Sequence, residues 1–321
     1  MKKTLLMSAL AMAGMTSANA VELKAGDWTV NVGGIINAYY TSVSCKGATT
    51  VATTQNPVPQ IQDGLPLAGR GLGCGGKEDA TTIGNGLLPN GLIVSAKSTQ
   101  NGVDVGATMG IYSAVSSGSA IGNNSNVDVR QGFMTLGTKD VGTFKLGRDY
   151  GIFGSSAILN DMTLLGVGAP INATQRNRVT LGHIGAGYTY LGNYGQISYS
   201  SPSVSGFKFD GGVFSPVDVT LGGPQTADSK SPQMQYQLSY ASGGFKAWVG
   251  GKNQDFEGTR GADAKTADVI DGMGNTVGTV TLSPAVAATQ GFKMSVTEIG
   301  ALGNIGDLGL IANFQEGRAC K

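Results

Sequence analysis

The sequence predicts an all-β fold, a transmembrane antiparallel up-and-down β-barrel, on three observations. Segments in which apolar and polar residues alternate recur along the whole chain, as expected of strands with two different faces. The connections between these segments are alternately short and long, as in a barrel with short turns on one side of a membrane and long loops on the other. After residue 20, no apolar run reaches the roughly 18 residues of a membrane helix.

The first 20 residues predict a cleaved secretory signal peptide. Lys2 and Lys3 form a positive start, residues 4–16 are mostly apolar, and Ala18-Asn19-Ala20 is a small-x-small cleavage site. A buried helix of a cytosolic protein is the alternative interpretation. The mature chain, residues 21–321, would begin at Val21, and its formal charge would be −1 instead of +1 because Lys2 and Lys3 are lost. A charge so close to zero predicts no nucleic-acid partner.

The composition narrows the class of protein. Glycine accounts for 52 of 321 residues, and charged residues for only 13%, against about 25% in an average globular protein. The glycines follow no Gly-X-Y period, so a collagen is excluded. A secreted all-β domain and a barrel of the outer membrane remain.

The segment 28–40 shows the alternation most clearly. Its even positions are mainly apolar and run from Trp28 to Tyr40, whereas its odd positions are mainly small or polar. At about 3.3 Å per residue the segment spans roughly 40 Å, which is about 30 Å along the membrane normal once the strand is tilted. This length matches an apolar band with an aromatic residue at each interface. Further along, Met234, Tyr236 and Leu238 alternate with glutamines.

The pattern predicts eleven strands: 28–40, 91–98, 103–112, 127–137, 142–149, 186–200, 206–214, 233–241, 245–252, 290–301 and 308–315. The long connections are 41–90, an external loop, and 113–126, 150–185, 215–232 and 253–289. A Greek-key sandwich does not predict this asymmetry. A hairpin at 268–273 and 276–282 would raise the number to thirteen, still an odd number that does not close such a barrel.

Two regions resemble the general diffusion porins of Gram-negative bacteria. Val129 to Gly137, followed by Thr143-Phe144-Lys145-Leu146-Gly147-Arg148-Asp149-Tyr150-Gly151, is similar to their fourth and fifth strands. Tyr199 to Phe207, with its Ser201-Pro202 turn, is similar to their turn between strands six and seven. The resemblance implies a sixteen-stranded homotrimeric barrel in outer-membrane lipid, without a cofactor. It also implies a third loop, here 150–185, folded inward, and a water-filled channel for passive diffusion of small hydrophilic solutes and ions.

In such a channel, acidic groups on the inward loop face basic groups on the wall. The resemblance places Asp161 at an acidic loop position and Arg148 at a wall position. Arg148 shares its strand phase with Phe144 and Leu146, which should face lipid, so we expect the strand to end before it or a bulge to redirect it. Wall arginines of the family fall here on Ile93 and near Leu191, which predicts a weaker constriction. Further constriction candidates, each alternatively an ordinary solvated lumen or rim charge, are Arg130, Arg176, Arg178 and Lys145.

The C-terminal residues depart from the family pattern. The resemblance implies a last strand that ends on an aromatic residue, whereas this chain ends Arg318-Ala319-Cys320-Lys321. We therefore expect a C-terminally truncated chain, which lacks roughly five of the sixteen strands of such a barrel.

Cysteine and histidine usage predicts no metal site and no enzyme. Cys45 and Cys74 share the first long loop, where an oxidising compartment allows a disulfide, and two unpaired thiols are the alternative. Cys320 is left over. No Cys/His cluster has the spacing of a metal site. The only histidine, His183, lies between glycines with no identifiable partner for acid–base catalysis.

Two other functions remain open at this stage. A substrate-specific outer-membrane channel could use Tyr39 and Tyr112 as a ladder for a solute. A secreted glycine-rich adhesin would be expected to contain a short internal repeat, which the sequence lacks.

Overall fold

A single large antiparallel sheet dominates the fold. The computed structural model describes residues 21–36, 38–44, 79–84, 89–113, 127–160, 192–217, 219–220, 226–227, 229, 231–258, 261, 263–283, 285, 288 and 290–320. The strands of the described residues are β1 (Val21–Ala25), β2 (Trp28–Ile35), β3 (Tyr39–Ser44), β4 (Asp79–Gly84), β5 (Asn90–Gln100), β6 (Val103–Ser113), β7 (Val127–Thr138), β8 (Gly142–Tyr150), β9 (Asn193–Ser200), β10 (Phe207–Phe214), β11 (Val219–Thr220), β12 (Thr226–Ala227), β13 (Gln233–Ser242), β14 (Phe245–Phe256), β15 (Lys265–Ile270), β16 (Thr276–Ser283), β17 (Phe292–Ile305) and β18 (Leu308–Cys320).

Twelve of these strands form the main sheet in an up-and-down order. The order is β1-β2-β5-β6-β7-β8-β9-β10-β13-β14-β17-β18, and each neighbouring pair is antiparallel. Sheet neighbours are therefore chain neighbours once the small hairpins are left out. This topology confirms the predicted antiparallel up-and-down fold.

Three small hairpins occupy long connections at one end of the main sheet. They are the pairs β3–β4, β11–β12 and β15–β16. The β15–β16 turn is organised by Asp271, which accepts hydrogen bonds from the backbone N–H groups of Asn275 and Met273, both at 2.9 Å. These bonds hold the pKa of the Asp271 carboxyl below its ordinary value. The opposite end of the sheet carries only tight turns.

The burial pattern of the main sheet is the reverse of that in a water-soluble protein. In β13, Gln233 and Gln235 are 1% exposed, whereas the alternate residues Met234 and Leu238 are 49% and 44% exposed. A sheet with its polar face enclosed and its apolar face open is suited to hydrocarbon outside and water inside. The apolar residues exposed on this outer face include Leu92, Val94, Met109, Ile111, Phe144, Leu146, Ile197, Phe209, Val249, Ile299 and Phe314.

Aromatic pairs mark the short-turn end of the outer face. Phe144 and Tyr199 have ring centroids 5.0 Å apart, and Phe207 and Tyr240 have centroids 4.8 Å apart. The Tyr199 hydroxyl donates a hydrogen bond of 2.7 Å to the Val141 carbonyl in a turn. Amphipathic rings at this height are typical of the membrane interface of a barrel.

The first predicted strand is wrong in its extent. The segment 28–40 is not continuous, because β2 ends at Ile35, opposite Gly91 near the start of β5. Among the described residues this is the last pair that β2 makes with the main sheet, and residues 39–44 pair instead with β4 inside the predicted loop 41–90. A side chain at Gly34 would meet the Gly91 carbonyl oxygen at 2.0 Å, so this close approach requires glycine.

The other predicted strands all occur in the main sheet, with different ends. β1 was not predicted; it pairs with β2 and raises the number of strands in the main sheet to twelve. The hairpin suggested within 253–289 exists as β15–β16 but forms a separate two-stranded sheet, so it adds nothing to the barrel wall. The strand predicted at 186–200 is described from Asn193, and its first residues lie outside the described part of the chain.

One short helix, α1 (Ser155–Leu159), follows β8. In the described ranges, no helix is long and apolar enough to cross a membrane.

Replacing Leu238 with arginine tests which solvent the outer face contacts. Leu238 lies in the middle of β13 and is exposed, so in water L238R would be nearly neutral. In a bilayer, we expect a loss of about 2–4 kcal/mol in the free energy of unfolding, because arginine is costly in the hydrocarbon. V141R in a short turn is the control and should change little. Denaturant titration in lipid vesicles measures both; equal stabilities would contradict a lipid-facing surface.

Candidate pore-lining site

The inner face of the sheet is lined by polar side chains that lie side by side across neighbouring strands. The register aligns Lys145 with Ser198, and Gln235 with Lys252. Buried polar groups normally need hydrogen-bond partners, and here many of them bind one another. The buried polar side chains are Ser98, Arg130, Gln131, Asp149, Ser156, Gln196, Ser198, Gln233, Gln235, Gln237, Lys252, Gln254 and Glu298.

A β-bulge in β7 turns Arg130 toward this inner face. Gly110 of β6 is paired with Gln131 and Ile111 with Val129, so Arg130 is the extra residue of the pair. Because the bulge adds one residue, Arg130 and Gln131 are both buried, at 2% and 8% exposure. The alternation would otherwise place two adjacent side chains on opposite faces.

Two ion pairs neutralise the cations of the β7–β8 wall. The Arg130 guanidinium donates to Asp128 at 2.8 Å and lies 5.7 Å from the centre of the Tyr112 ring. Lys145 forms an ion pair with Asp149.

Gln131 connects this wall to its neighbour. The Tyr112 hydroxyl donates to the Gln131 side-chain oxygen at 2.5 Å, and the Gln131 amide donates to Asp149 at 2.9 Å. Asp149 therefore binds both an amide and the Lys145 ammonium, which fixes the wall as one hydrogen-bonded unit.

Arg148 lies on the opposite face of the sheet from these groups. It is exposed and shares its alternation with Phe144 and Leu146. Both expectations for Arg148 were wrong, because β8 continues past it to Tyr150 and its pairings with β7 and β9 show no register shift. The bulge lies in β7 and redirects Arg130. The structure thus brings Arg130 and Lys145 to one wall and leaves Arg148 outward. The remaining predicted residues lie outside the described part of the chain: Asp161, Arg176, Arg178, Cys45 and Cys74.

The segment after β8, residues 151–160, packs against the inner face of distant strands. The backbone N–H groups of Ile152 and Phe153 donate to the Gln235 side-chain oxygen at 2.8 and 3.0 Å. The N–H group of Gly154 donates to the Glu298 carboxylate at 2.9 Å. Gln235 is on β13 and Glu298 on β17, three and five positions from β8 in the sheet order, so the segment runs across the inner side of the sheet.

Local geometry fits the segment to this crossing. Gly154 has φ +80°, a left-handed conformation that favours glycine, and it directly precedes α1. Phe153 has no exposed surface, and Ala157 and Ile158 of the helix are buried. The segment therefore has an apolar anchor as well as polar ones.

A chain of glutamines supports the anchor. Gln235 donates to Gln233, Gln233 donates to Gln254 at 2.8 Å, and Gln254 donates to the Val217 carbonyl at 2.6 Å. A glutamine has a donor and an acceptor at one end, so it can continue such a chain. Gln235 can thereby turn its oxygen toward the two N–H groups of the segment.

Gln235 and Glu298 were not among the residues predicted from the sequence. The glutamine alternation of β13 was visible, but it indicated only a polar face. Glu298 is an isolated acid in an otherwise alternating strand, a signal that could have identified it as an inward-facing group.

These features define a membrane-spanning β-barrel with a polar interior that an inward segment crosses. A family profile described as Gram-negative porin matches residues 4–319. The chain therefore belongs to the Gram-negative porin family, and its location is the outer membrane.

Two solved structures are similar to this chain. One is OmpT (in-vitro folded), an outer membrane protein of Vibrio cholerae, with 16% identity and a TM-score of 0.46; the match covers 93% of this chain and 66% of the other, so this chain spans slightly less than two thirds of it. The other is the Salmonella typhi OmpF complex with Daunomycin, with 12% identity, a TM-score of 0.40, and coverage of 93% and 81%. No curated protein matches the sequence significantly.

Among the described residues, no group of three or more His, Cys, Asp or Glu side chains could hold a metal ion.

Replacing Gln235 with alanine tests the anchor of the inward segment. The change leaves the N–H groups of Ile152 and Phe153 without their acceptor, so we expect a loss of about 1–3 kcal/mol in the free energy of unfolding for each buried group. Gln237→Ala is the matched control on the same face, because the Gln237 oxygen accepts no hydrogen bond in the described part of the chain. Denaturant titration compares the two; equal losses would rule out a special role for Gln235.

Proposed function

We propose that this chain forms a water-filled channel through which small hydrophilic solutes and ions diffuse passively across the outer membrane. Membership of the porin family supports this function. The observation that carries it is the inverted burial of the sheet, with glutamines and charges inside and apolar side chains outside. A polar inner face in a membrane barrel is suited to water and to solutes that water carries.

The proposal includes a constriction formed by the inward loop 150–185. The bonds from Ile152, Phe153 and Gly154 to the far wall support this, since they direct the chain across the interior. Charges in a narrow aqueous passage set barriers for ions. We place Arg130 and Lys145 on the wall of the constriction, and Asp161, Arg176 and Arg178 on the loop side. Arg148 is not part of it, because its strand phase is outward.

Further parts of the proposal follow from the family. We propose a homotrimer in outer-membrane lipid, export by the signal peptide of residues 1–20, and a transport role without catalysis. The disulfide between Cys45 and Cys74 stays a prediction.

General diffusion is better supported than a substrate-specific channel. The proposed ladder needs tyrosines with free hydroxyls along one inner wall. The Tyr112 hydroxyl is bound to Gln131, and Tyr39 lies in β3, outside the main sheet.

Current through single channels in planar bilayers distinguishes the two functions. For general diffusion, we expect conductance that rises in proportion to salt concentration, with modest ion preference. A specific channel would saturate, and micromolar concentrations of its solute would block the current. Wild-type protein that inserts into the bilayer without passing current would refute the channel.

Cysteine labelling tests which face contacts the aqueous lumen. Thr135 points inward, opposite Lys145, and Met134 points outward and is exposed. In a background with Cys45, Cys74 and Cys320 changed to serine, a charged methanethiosulfonate reagent should modify T135C and lower its conductance. It should leave M134C unmodified, since thiolates do not form in hydrocarbon. The opposite result would show that the water-filled side has been misassigned.

A further inference from the structure

The inner face of β14 carries two lysines that make no ion pair. In the residues that the structure describes, Lys246 and Lys252 contact no carboxylate within ion-pair distance. Three other wall cations differ, since Arg130 pairs with Asp128, Lys145 with Asp149 and Lys208 with Asp210. The following inference rests on the proposed channel function.

Lys252 is the more enclosed of the two. Lys252 is only 6% exposed, and its ammonium donates a hydrogen bond of 3.0 Å to the Tyr194 hydroxyl. The ammonium also lies 5.2 Å from the centre of the Tyr194 ring. The neighbours of Lys252 across the sheet are Gln235 and Val296, neither of which is charged.

An enclosed ammonium is costly unless an anion or several acceptors accompany it. Tyr194 supplies one acceptor, because its hydroxyl oxygen receives the Lys252 N–H. A hydroxyl can donate as well as accept, and the hydroxyl hydrogen of Tyr194 binds no acceptor among the described residues. Two donors, one of them charged, thus converge beside the inward segment.

We propose that Lys252 and Tyr194 form a binding subsite for small monovalent anions inside the channel. The ammonium supplies the charge and the hydroxyl a second hydrogen bond. Packing of Tyr194 against Phe214, edge to face with centroids 6.0 Å apart, holds the hydroxyl in place.

Lys246 extends this positive wall toward the short-turn end. It lies on the same face of β14, six residues before Lys252, which is about 20 Å along the strand. It is half-buried over the Trp248 ring, 5.8 Å from the centroid, and interacts electrostatically with Lys208 and Asp210, which form an ion pair with each other and leave Lys246 as the net positive charge. An anion that leaves Lys252 therefore meets a second region of positive charge before the channel ends.

Reversal potentials in a potassium chloride gradient test the subsite. For Lys252→Gln we expect the chloride-to-potassium permeability ratio to fall about two- to fourfold, the effect of one unit charge at about 10 Å in water. Lys252→Arg keeps the charge and should keep the ratio near that of the wild type. Tyr194→Phe keeps the ring but loses the hydroxyl, so the ratio should fall by less than in the glutamine variant.

Lys293→Gln is the matched control. Lys293 is on β17, on the outward alternation, and its side chain is 76% exposed, so the same loss of charge should leave the ratio unchanged. A K252Q channel that conducts with an unchanged ratio would overturn the subsite while leaving the proposed channel intact. A wild-type barrel that inserts without conducting would overturn the channel function, and the subsite with it.

Discussion

The structure depends on one constraint: the backbone N–H and C=O groups of a strand that crosses a membrane have to be hydrogen-bonded to neighbouring strands. In hydrocarbon, each unpaired N–H or C=O group costs several kcal/mol, so strands can cross only as members of a sheet. Ten of the twelve strands of the main sheet pair on both sides, in an up-and-down order in which chain neighbours pair, whereas β1 and β18 each pair with one neighbour among the described residues. Because side chains alternate across a strand, this one arrangement fixes both an outer apolar face and an inner polar one.

The inner face then has to satisfy its own polar groups. Glutamine is well suited to this, because each amide can both accept and donate. The chain from Gln254 through Gln233 to Gln235 ends on two backbone N–H groups of the inward segment. Glu298 binds the next N–H group from another strand. The segment is thus held by the same network that binds the polar side chains of the wall, so the wall and the inward segment are one hydrogen-bonded unit.

The strands were predictable from the sequence because a period of two directly reflects the two solvents. Ten of the eleven predicted strands occur in the main sheet, and the first is divided between β2 and β3, whereas β1 was missed because its five residues are too few to show a period. The break after Ile35 was not predictable, since it depends on where β5 begins. The inward position of Arg130 was not predictable either, because a bulge is defined only by the register of the partner strand.

The contacts of the inward segment were not predictable either, because they join residues that are far apart in the sequence. Ile152 and Gln235 are separated by 83 residues, and Gly154 and Glu298 by 144. The predicted site residues were all charged, because charge is a property that a single residue shows in the sequence. Hydrogen-bond geometry belongs to pairs, and a neutral glutamine in an alternating strand shows no sign of which backbone group it binds.

The electrostatic field inside the channel also depends on pairs of residues and not on single charges. The net charge of the chain does not predict ion preference, because a cation beside a carboxylate forms a dipole whose field decays quickly, whereas an isolated cation acts over a longer range. Arg130 and Lys145 each form an ion pair with an aspartate, whereas Lys246 and Lys252 form none in the part of the chain that the structure describes. The wall formed by β14 is therefore more positive than the wall formed by β7 and β8, although both carry cations. In a narrow aqueous passage with low-dielectric walls, such an asymmetry acts directly on the passing ion.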